Sequence, residues 1–146
     1  MTAARKGITR QEAVRRVLQG MTDDRVGYAA LQTLLEEQFQ ATLQHQSTRL
    51  TALADQVIAA VEPLDARRRQ RVSLVTALLG PQGDMPQLFA LLQEDARATA
   101  ERDWVALEQM VLECKRLNAR NSDLLTEQYS IMQRVLHGEE DTYAPG

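Results

Sequence analysis

The stretch from Trp104 to His137 leaves this chain few choices of fold. Read in sevens, one row is Trp104, Val111, Asn118, Leu125 and Met132, and a second is Leu107, Cys114, Asn121, Gln128 and Val135. A third row, Met110, Leu117, Leu124 and Ile131, flanks the first. Together they make a wide apolar stripe on one long amphipathic helix, with Gln109, Glu113, Arg116, Arg120, Asp123, Glu127, Ser130 and Arg134 on the solvated side. At 1.5 Å per residue this element spans roughly 50 Å, so something must cover it. Gly138 is the predicted C′ stop, ahead of a short acidic tail ending Tyr143-Ala144-Pro145-Gly146.

Asn118, Asn121 and Gln128 stand at seam positions that a simple core would fill with Leu or Ile. Buried amides cost stability unless hydrogen-bonded, and in helical seams they fix register and partner choice. The pattern therefore allows two readings: an internal core with satisfied amides, or a groove that waits for another helix.

The remainder reads as helix too. Thr9-Arg10-Gln11-Glu12 has the form of a capping box, and Ala13, Val14, Val17 and Leu18 predict a short amphipathic helix ending at Gly20. Residues 1–20 are expected to be a basic, weakly packed N-terminal extension, with Met21 as an alternative natural start. Residues 21–138 are then the helical domain and 139–146 a flexible acidic tail. Thr22, Asp23 and Asp24 are N-cap candidates for a helix carrying Leu31, Leu34, Leu35, Phe39 and Leu43, which Gly27 weakens without ending. His45-Gln46-Ser47-Thr48 predicts a turn or kink, after which Leu50, Leu53, Val57, Ile58 and Val61 resume the spacing. Pro63 should kink or restart that helix.

Four arginines lie within Arg67 to Arg71, yet no aromatic platform or recognition-helix pattern accompanies them, and a solvated helix face is expected. Gly80-Pro81-Gln82-Gly83-Asp84 is the clearest break, and Asp84 caps a helix starting near Met85-Pro86 with Leu88, Phe89, Leu91 and Leu92 inward. From Gln93 to Asp103 large apolar residues disappear, so that helix either continues into Trp104 or breaks near Thr99.

Chemistry is sparse. His45 and His137 are isolated, Cys114 has no sequence-adjacent ligand, no phosphate-binding loop is present, and the carboxylates are dispersed along helices. His45 lacks the following residues of a phosphorelay histidine and is expected at the surface. No catalytic residue, metal or cofactor is expected, and the protein is not read as an enzyme. A net charge of −3 argues against general nucleic-acid affinity. With no apolar run long enough for a signal peptide or membrane span, and one cysteine expected as a small buried hydrophobe, a cytoplasmic protein without membrane insertion is predicted.

Trp104, then Asn118 and Asn121, then Leu124-Leu125 on the same face resemble the C-terminal helix of the FlgN family of flagellar type III export chaperones. The tail Tyr143-Ala144-Pro145-Gly146 is similar to that family's Tyr-Gly-x-x-Gly-like ending, with Ala144 in place of the usual glycine. The resemblance implies an all-α, elongated antiparallel bundle. It also implies a chaperone that binds the C-terminal helical segments of hook-associated (hook-filament junction) proteins and delivers them to the flagellar export gate. Carried onto this chain, Asn118, Asn121, Leu124 and Leu125 bind the client, and helical phase adds Val111, Leu117, Gln128 and Met132. Tyr143 matches the position that docks on the cytoplasmic domain of the export gate, and a client-free homodimer is a further expectation. Two other classes stay open: a bundle adaptor that self-associates through the same stripe, and a nucleic-acid regulator acting through Arg67 to Arg71.

Overall fold

The computed structural model describes residues 8–143, with side chains as far as residue 138. Three long helices and one short one follow in order: α1 (Arg10–Leu43), α2 (Ser47–Leu79), α3 (Met85–Phe89) and α4 (Glu94–Tyr143). The fold is the expected all-α bundle. α2 runs back along α1, α3 caps one end, and α4 returns parallel to α1.

α1 starts where the capping signal puts it, with Glu12 N donating to Thr9 Oγ1 at 3.0 Å. The Glu12 carboxylate turns to Arg15 and Arg16, which hold its pKa down at about 2. The break expected at Gly20 is absent, and with it the boundary at Met21. Ala13 and Val17 are buried in the same core as Met21, Leu74, Val75 and Phe89. A glycine inside a helix costs about 1 kcal/mol, less than burying Val17 and Met21 contributes at roughly 1.5–3 kcal/mol each.

Asp24 is likewise no N-cap. It lies mid-helix and 1% exposed, with Oδ1 2.5 Å from Arg67 Nε and Oδ2 2.9 Å from Arg71 Nη1. The arginine cluster is therefore not one solvated face. Arg67 and Arg71, four apart, point inward to clamp α2 on α1, whereas Arg68 and Arg69 pair with half-buried Asp65. Arg71 also lies over the Trp104 ring, 5.4 Å from its centroid, so one guanidinium touches all three long helices. Close approach of α1 and α2 depends on Gly27, where a Cβ would come within 2.8 Å of Leu64 Cδ2.

The predicted turn after Leu43 is a Schellman-type cap. Gln46 N donates to Ala41 O and His45 N to Thr42 O, with exposed His45 at φ 55 in the left-handed region. α2 runs through Pro63 without restarting, because Leu53 and Leu64 are buried on either side of it. Gly80, at φ 88, opens the expected break, and Asp84 with Gln87 forms a reciprocal capping box for α3. α3 is only five residues long but seats Leu88 and Phe89 completely in the core. α4 then starts at Glu94 and passes Thr99 without a break. It also continues past Gly138 to Tyr143, since glycine ends a helix only where the chain takes up a left-handed conformation.

The Asp24 clamp yields a stability prediction. Asp24→Ala leaves two part-buried guanidiniums without their carboxylate and should cost about 3 kcal/mol, read as a lower urea midpoint with unchanged slope. A shift below about 1 kcal/mol would mean that the arginines find solvent at little cost.

Candidate functional site

Side chains of α4 reach backbone carbonyls of α1 at a constant offset. Cys114 Sγ lies 3.7 Å from Tyr28 O, Asn121 Nδ2 donates to Leu35 O at 2.8 Å, and Gln128 Nε2 donates to Thr42 O at 3.0 Å. These contacts recur every seven residues on both helices, which sets the two in parallel register and turns the second heptad row onto α1. Burial pushes the Cys114 thiol pKa up, so it stays protonated and inert near neutral pH.

Asn121 is the most committed of these groups. It is 1% exposed, donates also to Gln38 Oε1, and accepts from Arg120 Nε and Nη2. Arg120 in turn pairs with Glu36 at 2.8 Å and lies 3.8 Å from the centroid of the Phe39 ring. The amide is thus satisfied within the chain. Leu117, 3% exposed, is equally inaccessible, and Gln128 is tied to the end of α1. The expectation that Leu117 and Asn121 contact a client is corrected here: they are buried and hold α4 on α1, whereas half-buried Gln128 bonds α1 and also lines the hollow beyond it.

The first heptad row is turned elsewhere. Val111 and Asn118 face a groove of about 340 Å³ between α4 and α2, floored by Tyr28, Leu31 and Leu35 of α1 and walled on the other side by Val57, Val61 and Leu64. Asn118 is exposed, unlike Asn121 three residues on. Further along, Leu124, Leu125 and Met132 line a larger hollow of about 1080 Å³ with Leu50 and Ser47 from the start of α2. No described residue after Asn121 is buried, and beyond Gln128, which reaches the last turn of α1, α4 overhangs the end of that helix. Leu125 is 41%, Met132 49% and Val135 58% exposed. Val57, Val61 and Leu50 escaped the sequence reading as site residues. Their signal was an apolar set on α2 too wide for one core face, of which Ile58, Val61 and Val72 remain exposed.

Among the described residues no group of His, Cys, Asp or Glu could hold a metal ion, and no helix is long and apolar enough to cross a membrane. Ala144-Pro145-Gly146 and the side chain of Tyr143 lie outside the described residues.

Residues 13–137 match the family model described as FlgN protein, a span that takes in nearly all of α1, α2 and α3 and most of α4. No curated protein and no solved structure shows a significant match.

The two asparagines should separate cleanly on mutation. Asn121→Ala removes a buried hydrogen-bond centre and should cost about 1–3 kcal/mol in urea unfolding, whereas exposed Asn118→Ala should stay within about 0.5 kcal/mol of the parent. Equal losses would contradict the burial difference.

Proposed function

This chain belongs to the FlgN family of flagellar export chaperones, and we propose that it holds the C-terminal helical segments of hook-associated proteins in the open groove beside α4. In this reading it is a cytoplasmic protein that keeps those segments from assembling early and delivers them to the export gate. The family is one of chaperones rather than enzymes, in keeping with a site made of apolar walls and amides.

The observation that carries the proposal is the uncovered apolar run Leu124, Leu125, Ile131, Met132 and Val135, which continues a heptad stripe whose earlier half is buried by α1. A contiguous exposed apolar strip of this kind is a liability in a free protein and marks a surface with a partner. A disordered segment that folds there as an amphipathic helix removes apolar area from water at about 25 cal/mol per Å². Ordering the segment offsets part of that gain, which keeps binding specific yet reversible. Val111, Asn118, Leu124, Leu125, Gln128 and Met132 remain the client-facing residues of α4, joined by Leu50, Val57 and Val61 of α2.

Replacing Leu125 and Met132 together by Ser should weaken binding of a hook-associated protein's C-terminal peptide by about 2 kcal/mol, roughly 30-fold, in a calorimetric titration. The urea midpoint should not move, since both side chains are already about half exposed. Unchanged affinity would remove the overhang from the binding surface. Tyr143 is proposed to dock on the cytoplasmic domain of the export gate. Tyr143→Ala should then bind client normally but export it poorly, and normal export would end that assignment.

A further inference from the structure

The groove between α2 and α4 is apolar at its floor, and the charges at its rim do not balance. Arg68 on the α2 wall and Lys115 on the α4 wall both line it. The one carboxylate beside Arg68 is Asp65, whose oxygens lie 3.0 Å from Arg68 Nη2 and 3.2 Å from Arg69 Nε, so two guanidiniums share it. Among the described residues Lys115 has no ion-pair partner, and Glu108, seven residues before it on the same row, lies outside the groove lining. Within the lining two cations, Arg68 and Lys115, thus meet a single carboxylate, Asp65, which Arg69 outside the lining also shares. The excess is local, because the whole chain carries a net charge of −3 and its long-range field works against an acidic ligand.

We propose that the helix received by this groove carries acidic side chains along both flanks of its apolar stripe, placed to meet Arg68 on one wall and Lys115 on the other. The inference rests on reading the groove as a client-docking site and adds the chemistry that selects the client and sets its register. Exposed ion pairs contribute little to affinity one by one, yet like charges forced together at the same positions repel, so the rim acts mainly by rejecting the wrong helix. A phosphate backbone is a poorer fit, because most of the lining between the two cations is aliphatic, with Leu31, Leu35, Val57, Val61, Leu64 and Val111 against one tyrosine and one asparagine.

The test uses the full chain and two labelled helical peptides of about three heptads with the same Leu and Ile stripe, one flanked by Glu and the other by Lys. By fluorescence anisotropy at low salt the Glu-flanked peptide should bind at least about tenfold more tightly, and the advantage should shrink at high salt. Arg68→Glu with Lys115→Glu, both at exposed positions, should reverse the preference. Equal binding of the two peptides, or a preference that survives the double charge reversal, would overturn the acidic-flank proposal. The docking reading would then stand or fall on a separate variant, Val61→Ser with Val111→Ser, which should weaken both peptides alike. If neither peptide binds at any salt, both ideas are lost. Displacement of the Glu-flanked peptide by a single-stranded oligonucleotide would also overturn the proposal, since the rim would then be a general anion site.

Discussion

The parallel register of α4 on α1 is the constraint from which the rest of the molecule follows. α1 is the helix packed along both α2 and α4, and α4 reaches its carbonyls at Tyr28, Leu35 and Thr42 through side chains that are themselves seven apart. A slip of one residue would break every one of these contacts, because each depends on a side chain meeting a particular carbonyl. With the second heptad row committed to α1, the neighbouring row of Val111, Asn118, Leu125 and Met132 is turned toward the gap beside α2. With α1 ending at Leu43, the last turns of α4 have nothing to lie on. Groove and overhang are thus two consequences of one register.

The opposite end of the bundle is held differently. There Leu88 and Phe89 of the short α3 fill the core, and Asp24 binds Arg67 and Arg71 while Arg71 stacks on Trp104, so a buried charge cluster fixes how the three long helices meet. Burial and polar specificity are concentrated there and decline along α4, from Leu107 and Leu117 in the core, through hydrogen-bonded Asn121 and Gln128, to the exposed side chains beyond. A protein built this way can keep one end rigid while offering the other as an unfinished bundle.

Several residues show how far local pattern can mislead about role while being right about form. Asn118 and Asn121 occupy equivalent-looking places on the stripe, yet one lines an open wall and the other is the best satisfied amide of the interior. Three residues along a helix turn a side chain by about 300°, enough to move it from one neighbour's territory to the next. The arginine run from Arg67 to Arg71 read as a solvated face because its counter-charge, Asp24, lies more than forty residues away in sequence. Asp24 in turn read as a cap because only the folded chain supplies its two guanidiniums. Gly20 and Gly138 read as helix ends, but each sits in a helix that continues through it.

What the amino-acid order determined by itself was local: the helical class, the long stripe of α4, the caps at Thr9 and Asp84, the turns after Leu43 and Gly80, and the family. Those features depend on periodicity and on interactions within a few residues, which a linear reading contains. Only the tertiary structure decided which heptad row is core and which is wall, that α2 supplies the other side of the groove, and that α1 stops short of the end of α4. Each of these depends on contacts between residues some forty to eighty-six positions apart, and no local spacing encodes which of several apolar faces finds a partner first.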